Sequence, residues 1–135
     1  MKITKHFKRE EFDCNDGTPY PKDWLYVLNL LCSNLEKIRS LTGQTMIILS
    51  GYRTRSWNSH CGGARHSQHI LGLAADIKLK GMSSKQLYKA VCKLIEDAEI
   101  NEGGVGLYRW GVHYDMRGHK TNGSVARWNH YNKGR

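Results

Sequence analysis

A chain of 135 residues with 39% hydrophobic side chains is the size of one domain and carries enough apolar surface for a real core. It has no apolar run near the roughly 20 residues that a bilayer span requires, which argues against a membrane-spanning protein. The net charge of +9, from 21 basic and 12 acidic residues, favours polyanionic partners such as nucleic acid, acidic membrane or cell-wall polymer, without choosing among them.

The segment Met1 to Glu11 is polar and charged and lacks an apolar signal core, so the expectation is a soluble protein made in the cytoplasm; a monomer is expected as well. Residues Phe12 to Pro21 are rich in turn formers and read as a loop. A helix fits Lys22 to Leu41, because Trp24, Leu28, Leu31, Leu35 and Ile38 recur at steps of four and three, and Gly43 stops it. Met46 to Leu49 is a short apolar run and reads as a strand. Thr54 to Ser67 carries glycines, histidines and arginines without periodicity and reads as a surface excursion. Ala74 to Leu79 reads as a second strand. Ser83 and Ser84 offer a cap for a helix whose apolar stripe is Leu87, Val91, Leu94, Ile95 and Ala98. Gly104 to Tyr108 and Gly111 to Met116 read as a hairpin turning at Arg109-Trp110, and a basic, aromatic tail follows Gly118. This order predicts an α+β domain over residues 1–135, with helices packed on one face of a small antiparallel sheet.

None of the four cysteines forms a C-x-x-C pair, so a thiolate zinc knuckle is not expected. Cys32 and Cys92 fall in apolar helical patterns and read as core residues. Cys14 and Cys61 fall in polar loops and are the freer pair, the two that a disulfide would join; reduced thiols are the simpler expectation.

Two segments carry metal-binding chemistry. In the predicted strand at residues 74–79, Ala74, Asp76 and Lys78 point one way and Ala75, Ile77 and Leu79 the other. Asp76 therefore projects from the face opposite the apolar one, and Gly72 lets the chain turn so that His69 returns towards it. In Gly111 to Arg117, His113, Asp115 and Arg117 share one face, with alternate residues roughly 6.6 Å apart. A histidine there is placed to bind a metal, while the nearby carboxylate is placed to take a proton from bound water or to orient the histidine. Spacing alone is equally consistent with an exposed polar strand face.

Ser67 to Asp76 matches the pattern S-x-H-x-x-G-x-A-x-D, and Val112-His113-Tyr114-Asp115 matches V-H-x-D. With Ser50-Gly51-Tyr52-Arg53 upstream, Gly103 to Tyr108 before the last histidine and an opening Glu11-Phe12-x-Cys14, the chain resembles the zinc D-alanyl-D-alanine carboxypeptidases and related peptidoglycan endopeptidases, in the subgroup of phage lysins and murein endopeptidases. The resemblance implies a zinc peptidase with one ion in a cleft at the sheet, held by His69, Asp76 and His113. It implies substrate binding by Arg53, whose planar fork suits a carboxylate. Ser67 either bonds substrate or shapes its loop.

Many relatives carry a catalytic glutamate shortly before the last histidine, where this chain has Arg109, Trp110 and Gly111. Asp115 is thus the nearest candidate for the catalytic base. In relatives whose last segment reads H-x-H the second position binds metal, which leaves exchanged roles for His113 and Asp115 open. His60 and His66 read as rim residues, Tyr108 and Trp110 as core or cleft lining, and His119 and His130 as surface residues of the tail. The implied substrate is a peptide of bacterial peptidoglycan, with anionic wall polymers as further partners. The implied setting is a phage lysin released by a holin, or a domain of an exported protein. Two other readings stand beside this one. A non-catalytic wall-binding module would be expected to have lost part of the ligand set, which is complete here. A nucleic-acid binder would rest on scattered basic residues such as Arg127 and Lys133 near Trp128, with no recognisable motif.

Overall fold

The computed structural model describes residues 1–118 and 125–133, so His119 lies outside the described residues. After short 3₁₀ turns at Arg9–Phe12 and Lys22–Trp24, the elements run α1 (Leu25–Arg39), β1 (Met46–Ser50), α2 (Arg55–His60), β2 (Ala74–Leu79), α3 (Ser84–Glu96), β3 (Gly104–Tyr108), β4 (Gly111–Asp115) and β5 (Ala126–Asn129). The sheet order is β1-β2-β4-β3-β5. All pairings are antiparallel except β3 with β5. The α+β expectation holds, and none of the described helices is long and apolar enough to cross a membrane.

One face of the sheet is the core. Leu28, Leu31, Leu35 and Ile38 of α1 and Leu87, Val91 and Ile95 of α3 pack on Ala75, Ile77 and Leu79 of β2 and on Val112 and Tyr114 of β4, with Met116 beyond. These are the alternate positions that the period of two assigns inward. The helix predicted from Lys22 opens as a 3₁₀ turn and becomes α-helical only at Leu25. Ser83 caps α3 as expected: its hydroxyl accepts from the Gln86 N–H, and the Gln86 side chain accepts from the Ser83 N–H, a capping box.

Three sequence expectations are corrected. The excursion at 54–67 contains a helix, α2, whose N-cap hydroxyl on Thr54 accepts from the Trp57 N–H at 3.2 Å. Six residues are too few to show an apolar period, so the cap was the one readable signal. The tail contains β5, which extends the sheet along β3. Cys14, read as one of the freer pair, is buried within its loop, and all four cysteines are free thiols.

Candidate metal centre

The opposite face of the sheet builds the site in a single row. Ser50 pairs with Asp76, Asp76 with His113, His113 with Gly106 and Gly106 with Trp128, one residue from each of the five strands. A register shift in β1 between Ile48 and Ser50 makes that row. Ile48 faces Ile77 on the core side, and the extra residue carries Ser50 round to the site side, as a bulge does. Gly106 leaves room for the Trp128 indole to lie over β3; a Cβ there would collide with Cε2 and Nε1 of that ring.

His69 arrives from outside the row. The chain turns at Gly72, where φ is +71° and a Cβ would stand 2.7 Å from the Tyr20 hydroxyl oxygen, so glycine is demanded twice. The Tyr20 hydroxyl donates to the Gly72 carbonyl at 2.9 Å and pins the turn. The Ser67 hydroxyl accepts from the His69 N–H at 3.2 Å. Ser67 therefore shapes this loop, and it also lines the cleft.

His69, Asp76 and His113 are buried, and one ligand atom from each lies within 4.8 Å of the others. The Gly51 carbonyl oxygen lies 2.7 Å from His69 Nδ1, which makes Nδ1 the protonated nitrogen and leaves the Nε2 lone pair 3.1 Å from Asp76 Oδ1. His113 Nε2 lies 2.6 Å from Asp115 Oδ2, and its Nδ1 lies 3.0 Å from the same Asp76 Oδ1. Two imidazole lone pairs thus converge on a carboxylate oxygen. Acceptors brought this close in a buried place require a cation or protons between them. Each imidazole is held by a second acceptor on its far nitrogen, the arrangement that fixes tautomer and aim in zinc sites. The donor set, two neutral histidines and one carboxylate, suits zinc with a coordination position left open. Without metal, burial works against ionised Asp76, but the charges and bonds of His69 and His113 outweigh it and hold the carboxyl well below the usual range. Burial likewise disfavours charge on His113, yet its bonds to Asp115 and Asp76 raise its pKa.

The expected place of Asp115, facing a bound water, is not the place it occupies. Asp115 is fully buried and does not line the cleft. Its Oδ1 accepts from the N–H of Gly104 at 3.0 Å and of Arg117 at 2.9 Å, and its Oδ2 meets His113 and Arg117 Nη2, the latter at 2.8 Å. Burial alone would raise its pKa, but His113 and Arg117 pull it well below the ordinary range. A carboxylate so enclosed orients the imidazole in front of it. The group that could hold a metal comprises His69, Asp76 and His113.

Arg53, which the resemblance implies as a substrate binder, is held by several partners. Its guanidinium is anchored to Asp76 Oδ2 at 3.2 Å, to the Ser50 hydroxyl at 3.1 Å and to Asn58 Oδ1 of α2 at 3.3 Å, while still lining the cleft. Asn58 carries no sequence signal of its own, because a buried amide in a short polar helix has no periodic signature.

The cleft encloses about 770 Å³. The α2–β2 loop, with His66 and Gln68, lines one side, and Tyr108, Trp110, Trp128, His130 and Lys133 line the other. His60 instead stacks on Trp57, with ring centroids 4.9 Å apart, and is not among the lining residues. The tail is therefore a wall of the site. His130, expected at the surface, is half-buried there. Trp128 sits 5.1 Å from the His113 ring, centroid to centroid, and Arg127 pairs with Glu102 at 2.9 Å.

Comparison of the chain with curated proteins gives no match. The profile of the family described as Peptidase M15 matches residues 5–115, a span that contains all three candidate ligands. The chain belongs to the peptidase M15 family of zinc-dependent metallopeptidases.

Proposed function

We propose that this protein hydrolyses peptide bonds of bacterial peptidoglycan, as an endopeptidase or a D,D-carboxypeptidase, with one zinc ion held by His69, Asp76 and His113. The observation that carries the reading is the convergence of two tautomer-fixed imidazoles and a carboxylate at the floor of an open cleft. Family membership adds the peptidase chemistry. Zinc, when bound, supplies Lewis acidity towards a water molecule and the scissile carbonyl.

The chain's own residues do the rest. Gly51 and Asp115 hold the two imidazoles in their ligand tautomers. Arg53 steadies the free oxygen of Asp76 and presents its guanidinium at the cleft wall, where it meets a substrate carboxylate or carbonyl. With Asp115 enclosed, the proton acceptor is drawn from the histidines of the cleft lining, His66 and His130. The basic surface draws the enzyme to anionic wall polymers. The setting proposed is the cell wall, reached as a phage lysin or as a domain of an exported protein.

The test is mass spectrometry of purified peptidoglycan fragments after digestion, with elemental analysis of the same sample. The expected result is about one zinc per chain, products carrying new amino and carboxyl termini, and loss of both on chelation. A zinc-loaded protein that binds walls and releases no peptide product would overturn the peptidase reading in favour of a wall-binding module.

A further inference from the structure

The aromatic wall has a construction that metal binding does not require. Trp110 stands in the β3–β4 turn and stacks on Tyr108, with ring centroids 4.5 Å apart and planes 16° from parallel. Tyr108 is braced in turn: its hydroxyl accepts from Trp128 Nε1 at 2.8 Å, and the His130 ring meets it edge-on at 5.4 Å. The turn is tied down on both sides. The Arg109 carbonyl accepts from the Ser84 hydroxyl at 3.1 Å, and Arg109 Nε donates to the Tyr131 carbonyl at 2.8 Å. Trp110 itself is half-buried and lines the cleft. Among the described residues its indole N–H has no hydrogen-bond partner, and the face turned away from Tyr108 carries no ring or cation.

A rigid flat face, with an N–H at its edge that no described residue engages, matches a sugar ring. Such a ring offers a flat patch of C–H groups for an aromatic face, and hydroxyl and acetamido oxygens at its rim for donors. An aliphatic peptide side chain is served instead by a concave pocket that encloses it. His130 and Lys133, on the same wall, add polar groups for the rim of the ring. We propose that Trp110, backed by Tyr108, forms a saccharide subsite that takes an N-acetylated hexosamine of the glycan strand and so favours stems still attached to sugar. This rests on the peptidoglycan reading above.

The experiment follows the indole N–H signal of Trp110 by NMR in the zinc-loaded protein, assigned with Trp110→Phe. The probes are the N-acetylglucosaminyl–N-acetylmuramic acid disaccharide without peptide, and a stem peptide without sugar. The disaccharide is expected to shift the Trp110 signal and the stem peptide is not. Trp110→Ala is expected to weaken disaccharide binding about tenfold. It should also lower kcat/KM more on the glycan-linked stem than on the free stem. A Trp110 signal unmoved by millimolar disaccharide, or an equal kinetic loss on both substrates, overturns the subsite. Failure of the peptidase reading would show separately, as no cleavage of either substrate, and the titration would still judge the subsite.

Discussion

Replacing Asp115 by Asn tests the architecture of the metal centre most directly. The carboxylate is fully buried and meets His113 at 2.6 Å and Arg117 at 2.8 Å through the same oxygen. An amide of the same shape must turn either its oxygen or its NH2 towards the imidazole. If the oxygen faces His113, the NH2 faces the backbone donors of Gly104 and Arg117; if it is flipped, it opposes the His113 N–H. Either way one buried donor pair is left facing itself. Zinc affinity is expected to fall by about 10–100-fold, as for other lost partners of metal-bound histidines, which is about 1.4–2.7 kcal/mol. The fold should lose about 2 kcal/mol as well. That is below the roughly 3–5 kcal/mol for breaking a fully buried ion pair, because the Arg117 side chain is 26% exposed and water takes up part of its charge. Chelator competition measures the first quantity, and thermal unfolding with and without zinc measures the second. A variant that binds zinc as tightly as the parent while turnover drops by about 10²–10⁴-fold would refute this reasoning, because it would assign the carboxylate to the reacting water.

Two further outcomes follow from the same geometry. In the metal-free protein the raised pKa of His113 contributes stability that is fully present below the unfolded value of about 6.5 and is lost as pH rises through the folded one. Zinc needs the neutral ring, so the melting temperature without metal should fall as pH rises beyond about 6.5 while the gain on adding zinc grows; a pH-independent zinc increment would contradict this. Gly106→Val should push Trp128 off β3, costing about 1–3 kcal/mol of stability and breaking its bond to Tyr108. Melting temperature and turnover should drop together while Val105 and Leu107 keep their core packing on the other face.

Much of the fold was legible in the chain because burial imposes local periods. The α1 stripe from Leu28 to Ile38, the alternation in β2 and β4, and the Ser83 cap each follow from side-chain direction over a few residues. That alternation also placed Asp76 and His113 on the face away from the core, and the spacing from His69 through Gly72 to Asp76 reflects a turn that only glycine makes without strain. What the sequence could not carry is non-local. The β1 register shift that swings Ser50 beneath Arg53, the pairing of β5 along β3, and the Trp128 indole over Gly106 depend on partners far apart in the chain. The surroundings of Asp115 are non-local in the same way. Its position beside His113 was readable, but only the tertiary fold buries the carboxylate that alternation pointed at the cleft against the Gly104 N–H, the Arg117 fork and the His113 imidazole.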